Sequence, residues 1–471
     1  NFLMPKKNIL LYTIILLPLM AILFFHANLG SYSRFIADDY CSAYFGQRLG
    51  LFRYIWYWFI NWGGRFSAIA SDMFLVWLGP QKIGFVSGIA IYSWASGFSA
   101  LIFSFFSGKQ KIINRLLVSI SLGFLTVFDI IVLSPNVPQS FYWFSAFRTH
   151  TLPAIVFTLY FLFFIFIRTW KVHPAYIWVI GLLSFFMAMF TAGFSEPFTL
   201  IELLFLIGIA GVEYVKGSAE NKKKNIIFLL SGAAGVLLTL FIMLSSPGNS
   251  NRQAAFHHVS GIIELLSISV IGYSRFLFQF FQSPEKFSAI LGSLLIFFVS
   301  GTFLPEKFHL SGREIICLFI LGFVVPFISY PPAAYGMGDY LPDRAQAIPI
   351  YFMLIFLFTA SISLGRKITL PKLGLFFFQS IGTAFLLFSV FISFQNLIGT
   401  RHIFVDYANK MDSFENQIIS ARENGKKTFI VPQLGNWAGS YDPTDNPKFF
   451  STACFSLYYR IQILGPSIDK P

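Results

Sequence analysis

Charge is what this 471-residue chain has least of: Asp, Glu, Lys and Arg make up 12% of it, against about 25% in an ordinary soluble domain. So thin a charged surface excludes a soluble globular enzyme. Cysteine is scarce as well: three residues settle little, and no zinc-ligand spacing is present. No fixed-period repeat and no low-complexity run is present, so solenoids and polar tracts are excluded too. What fills the chain is apolar. Hydrophobic residues make up 56%, Phe alone contributes 61, and apolar stretches repeatedly reach the roughly 20 residues needed to cross a hydrocarbon core. The composition therefore predicts an all-α polytopic membrane protein. The formal charge of +13 does not point to nucleic acid, because the Lys and Arg residues fall in short connectors, where they orient the chain.

Eleven stretches are expected to span: 9–25, 83–106, 116–133, 151–167, 176–191, 198–212, 226–244, 287–304, 314–330, 346–363 and 374–395. The first follows Lys6 and Lys7 and precedes no small-residue cleavage site, so it is expected to remain as an anchor. Cytoplasmic loops carry an excess of Lys and Arg. With the N-terminus inside, Lys109 to Arg115, Arg168 and Lys171, Lys216 to Lys224, Lys307 and Arg313, and Arg366 to Lys372 all fall inside. Loops 26–82, 134–150, 245–286 and 331–345 then fall outside, as does the tail. Two further apolar segments read as interfacial helices: 65–80, which carries Arg65 and Asp72 and ends at Gly79-Pro80, and 262–281, which Glu264 and Arg275 interrupt. The expected units are a transmembrane domain over 1–395 and a small soluble extracytoplasmic cap over 396–471, with a helix at 403–424 and a strand at 427–432. Cys317 is expected within a span. Cys41 and Cys454 fall on the same side and pair only if the fold brings them together.

The sharpest local feature is Arg34-Phe-Ile-Ala-Asp38-Asp39-Tyr40. Adjacent carboxylates beside a membrane need solvation, cations or a metal. They act either as a proton acceptor with an orienting neighbour or as a solvated helix cap. The loop continues through Trp56-Tyr57-Trp58 to Gly63-Gly64-Arg65. Later, Tyr335-Gly-Met-Gly-Asp339-Tyr340-Leu-Pro-Asp343-Arg344 offers a guanidinium, which suits two phosphate oxygens at once; alternatively Arg344 braces its loop against Asp343 or Asp339. The loop 134–150 holds Tyr142, Trp143, Arg148 and His150 and no acid, so its rings either stack on a sugar or belong to the interfacial aromatic belt. Glu196, at a helix junction, holds an acceptor or an Arg, or caps its helix; Glu202 lies deeper. Arg252 is a reserve phosphate ligand, and the nearby His257-His258 pair is a poor metal site by itself.

An Asp-Asp just beyond the first span, a long first outer loop, the Gly-Arg turn at Gly64-Arg65 and a membrane-lying helix before the second span resemble the GT-C superfamily. These are integral membrane glycosyltransferases that use polyprenyl-phosphate-linked sugars. The layout over roughly 1–400 and the motifs at 35–67 and 335–345 carry the resemblance, similar in pattern to multi-pass Asp-Asp-Tyr members such as pilin arabinofuranosyltransferases and O-antigen glucosyltransferases. The resemblance implies a GT-C-like bundle with Asp38 or Asp39 as the catalytic base and Arg344, backed by Arg252, on the donor phosphate. Tyr40, Arg65, Trp143, Arg148, His150, Glu196 and Asp343 would surround the substrate. Many members carry a second acidic motif where 134–150 has none, which leaves a divalent cation, Mg or Mn, in doubt and no metal ligand assigned.

The implied reaction is inverting transfer of a sugar from a decaprenyl- or undecaprenyl-phosphate donor to a hydroxyl of a protein such as pilin, a glycan or a lipid, at the outer face of a bacterial inner membrane. A phosphate-linked sugar already has a good leaving group, so a base and cations suffice. The alternative is a transporter, flippase or ligase of lipid-linked saccharides. Transporters favour midplane polar sites and paired repeats with broken helices. Ligases concentrate their functional residues in a large late loop, whereas the long loop here comes first.

Overall fold

The computed structural model describes residues 6–106, 112–170, 173–257, 259–302, 310–435, 437–439 and 442–466. Long apolar runs must satisfy every backbone N–H and C=O internally in hydrocarbon, and helix does so within one segment. The chain opens with α1 (Lys6–Gly30), followed by four short helices, α2 (Asp38–Leu49), α3 (Leu51–Asn61), α4 (Phe66–Ser71) and α5 (Met73–Lys82). Next come α6 (Phe85–Phe105), α7 (Ile112–Leu133), α8 (Phe144–His150), α9 (Leu152–Thr169), α10 (Ile177–Ala192), α11 (Glu196–Lys216) and α12 (Ala219–Leu244). The remainder is α13 (Gly248–Ala254), α14 (Ile262–Gln282), α15 (Pro284–Gly301), α16 (Gly312–Phe327), α17 (Tyr330–Met337), α18 (Ala347–Lys367), α19 (Lys372–Glu423) and α20 (Phe450–Tyr459). The strands β1 (Thr428–Ile430) and β2 (Gln462–Leu464) pair in parallel, Phe429 opposite Ile463.

Among the described residues eleven helices are long and apolar enough to cross a membrane. The set differs from the expected one: α14 joins it, and α10, with 16 residues, falls short. Contacts explain both differences. The two ends of α14 meet a single loop, since His257, just before it, lies against Gly338 while Gln279 donates to Gln346 at 2.9 Å. In between, Gly272 faces Tyr340, and the Tyr273 ring packs on Tyr330. A 21-residue helix is about 30 Å long, so α14 lies across this end of the bundle, its apolar face outward. By contrast α10 runs the whole way, leaving the Arg168–Trp170 end and finishing where the Gly193 carbonyl accepts the Ser67 N–H at 3.0 Å. Its Gly181 and Ser184, set against α12, let it pack closely despite its length.

One end of the bundle therefore collects α2 to α5, α8, α13, α14, α17 and everything after the apolar part of α19. The opposite end holds short connectors, pinned by Arg168 to Glu213 at 3.0 Å and by Lys216 to Glu314. The boundary expected at 396 falls inside α19, whose 52 residues contain no proline to stop the helix. Its last turns and the tail fold back onto the first loop. Arg34 grips Asp412 with Nε and Nη2 at 2.7 and 2.8 Å, Tyr40 packs on Phe455 with ring centroids 3.9 Å apart, and Cys41 is bonded to Cys454. The free Cys317 is exposed on α16.

Candidate functional site

The paired carboxylates open α2. Before them Ala37 adopts φ 48° and ψ −108°, a conformation costing a non-glycine residue about 1–3 kcal/mol. The turn survives because Asp39 clamps it: its Oδ2 accepts the Ile36 N–H at 3.0 Å while its own N–H bonds the Ile36 carbonyl at 3.0 Å. Its Oδ1 accepts the Ser145 N–H at 3.1 Å and the Ser145 hydroxyl, so the first turn of α2 is stapled to α8. Asp39 is fully buried with both oxygens engaged. Asp38 is its opposite. Half-buried, it keeps a buried Oδ1 with no hydrogen-bond partner.

Burial holds the Asp38 carboxyl above the ordinary carboxylate range, opposed by the charges of Arg148 and Arg344. Asp39 stands higher still, raised by its burial and by the Asp38 charge. As pH falls, Asp39 takes a proton first.

Three arginine groups lie at this end, and two of them, Arg148 and Arg344, act on the acids. Arg148 on α8 pairs through Nε with Asp72 at 2.7 Å, and Tyr54 donates to the other Asp72 oxygen at 2.7 Å. Burial lifts the Asp72 pKa to about 6 even against that guanidinium. Arg65 and Arg252 share Glu196, with Nε to Oε2 at 2.8 Å and Nη1 to Oε1 at 2.9 Å. This triad exists because Gly64 lets the Arg65 turn touch the end of α12: a Cβ there would lie 2.6 Å from the Met243 Cα. His150 joins the two halves: burial and the charges of Arg344, Arg65 and Arg148 push its imidazole well below its ordinary pKa, against the pull of Glu196, and its buried Nδ1 has no partner.

Arg344 is the third group. Its carbonyl accepts the Ser140 hydroxyl at 3.2 Å, and its guanidinium lies 5.8 Å from the centroid of the Trp143 ring. Among the described residues that guanidinium makes no ion pair, and its charge acts on Asp38 and Asp343. The brace to Asp343 or Asp339 is not formed: Asp343 accepts from Gln346 at 3.2 Å and Asp339 from the Tyr340 N–H at 2.7 Å.

Asp38, Asp39, Arg65, Trp143, Arg148, His150, Glu196, Arg252 and Arg344 thus meet at one end of the bundle. Tyr40 does not join them. One position further around α2, it is fully buried among Phe35, Phe455, Tyr458 and Tyr459. Sequence reasoning missed Ser145, Tyr54 and the role of Asp72. A carboxylate inside the apolar 65–80 segment was the available signal, because such a group requires a cation. The expectation of a solvated helix cap for the acids is corrected, since Asp39 is wholly buried and no side chain caps α2.

The donor set does not suit a divalent ion. Asp39 and Asp72 are committed to Ser145, Ile36, Tyr54 and Arg148, which leaves Asp38 alone, and no cluster of three His, Cys, Asp or Glu ligands occurs among the described residues. What the arrangement can do is accept a proton at Asp38 while arginines face an anion. Asp38, Asp39, Asp72, Glu196 and Asp343 stand against the guanidiniums of Arg65, Arg148, Arg252 and Arg344, so one proton on Asp39 balances the site. Compared with known proteins, the chain matches no family model, no curated protein and no solved structure.

Proposed function

We propose that this protein is an inverting GT-C-like glycosyltransferase that moves a sugar from a polyprenyl-phosphate donor to an acceptor hydroxyl at the outer face of a bacterial inner membrane. Asp38 is the base. It takes the hydroxyl proton as that oxygen attacks the anomeric carbon; the bond from that carbon to the phosphate oxygen breaks, and its electron pair leaves with the polyprenyl phosphate. Arg344 receives the phosphate, since a guanidinium not already paired can bind two of its oxygens. Asp39 positions Asp38 through Ser145 and the Ala37 turn. Arg148 keeps Asp38 ionised, and the Arg65–Glu196–Arg252 triad holds the neighbouring wall. The reaction needs no step through a metal.

One observation carries this reading: a buried, unpartnered Asp38 oxygen and an unpaired Arg344 share one electrostatic site. The Cys41–Cys454 bond favours the oxidising, outer side, which agrees with the basic connectors at the opposite end. The test uses the full-length protein in phosphatidylcholine nanodiscs with undecaprenyl-phosphate-glucose and decaprenyl-phosphate-arabinose. Asp38→Asn should lose about 100- to 10,000-fold of polyprenyl phosphate release while keeping wild-type melting. Arg344→Gln should weaken undecaprenyl phosphate binding about tenfold. An active, properly inserted Asp38→Asn protein rejects the assignment.

A further inference from the structure

A second, basic site lies away from the paired acids. The face of α2 carrying Cys41, Tyr44 and Arg48, spaced three and four residues apart, turns toward α20. Between the two helices is a cleft of about 680 Å³, lined by Tyr44, Gln47, Arg48, Ser456, Leu457 and Arg460. It continues past Ser456, Leu457 and Arg460 into a groove bordered by Arg422, Lys426, Lys427 and Gln462. Five cations line the two and no Asp or Glu does.

These cations differ from the paired arginines at this end. Arg34, Arg65, Arg148 and Arg252 each hold a carboxylate, whereas among the described residues none of the five cleft cations makes an ion pair. Arg48 leans on the Tyr44 hydroxyl at 2.8 Å, and Arg422 donates to the Tyr459 carbonyl at 3.3 Å, which aims them without neutralising them. Arg460 ends α20 at φ 57° and ψ 38°, a left-handed position where glycine is the unstrained choice. Arg460 lines both parts of the cleft. The volume falls within the range of small-molecule sites, about 300–1,000 Å³. Between the cations stand the Tyr44 hydroxyl and the amides of Gln47 and Gln462, which suit sugar hydroxyls.

We infer that this cleft binds an acidic saccharide, one bearing phosphate or carboxylate groups. The inference goes beyond the transfer reading and does not depend on it, because binding is measured without turnover. The experiment is microcalorimetry on the full-length protein in phosphatidylcholine nanodiscs, with digalacturonic acid, glucose 1-phosphate and maltose as probes. At least one acidic probe should bind about tenfold more tightly than neutral maltose, the margin of one charge-assisted hydrogen bond, and should weaken with added salt. Arg460→Gly removes a cation and relieves the left-handed backbone, so it should lower that affinity about tenfold without lowering the melting temperature. Lys426→Ala with Lys427→Ala provides a second, fully exposed variant with the same expectation. Equal affinity for maltose, or affinity unchanged in both variants, overturns the proposal. So does binding of neither acid, including the case where the variants alter only association with nanodiscs containing phosphatidylglycerol, which would make the cleft a lipid headgroup site.

Discussion

Asp38 and Asp39 are neighbours with opposite fates, and the difference lies in what each side chain meets. Asp39 meets two backbone N–H groups and a hydroxyl; Asp38 meets two guanidinium fields and no donor for its Oδ1. A base works ionised, so turnover should vanish as pH falls through a value above the ordinary Asp pKa of 3.8. Arg344 holds that pKa down. In Arg344→Gln the acid limb of the residual activity should therefore move to higher pH, whereas Arg344→Lys should leave it in place, as a pH–rate profile will tell. Asp72 offers a separate test on stability. Its folded pKa of about 6 exceeds the ordinary 3.8, so the folded state binds a proton that the unfolded state releases. Stability from this group is greatest at low pH and declines as pH rises from about 4 to 6, by about 3 kcal/mol in total. Melting curves across that window should flatten in Asp72→Asn.

The element that matters most is α2, because it joins the paired acids to the tail. Its first turn carries the acids, its next residues bury Tyr40 against the tail, and Cys41 ties it to α20. Removing that tie with Cys41→Ser should cost about 2–4 kcal/mol and lower the melting temperature, with activity falling further than in a tail variant remote from α2. Reductant should reproduce the change in the wild type and leave Cys41→Ser unaffected. At this scale hydropathy served well for α1, α6, α7 and α18, whose apolar runs stand between polar connectors. It was ambiguous for α10 and α14. Length alone ranks α14 above α10 as a span, but contacts at its two ends lay α14 across the bundle while α10 runs through it.

As a whole the molecule is polarised, with loops, short helices and tail gathered at one end and brief connectors at the other. Single cysteines at exposed Ser250 and Ser218, placed in a Cys317→Ser background, test this directly. A membrane-impermeant maleimide should label position 250 in intact spheroplasts and position 218 only after permeabilisation.

Composition and charge pattern determined, without any coordinates, that the chain is helical and built to span a membrane, because hydropathy is a sum taken along one segment. They also brought Asp38, Asp39, Arg344 and Glu196 forward as candidates, since charged groups beside long apolar runs stand out. Tertiary structure alone decided that Arg148 belongs to Asp72, that Glu196 is shared by Arg65 and Arg252, and that Tyr40 faces the tail. Those partners lie on helices distant in sequence, and which helices meet depends on close approaches such as Gly64 against Met243. No local periodicity encodes such a meeting.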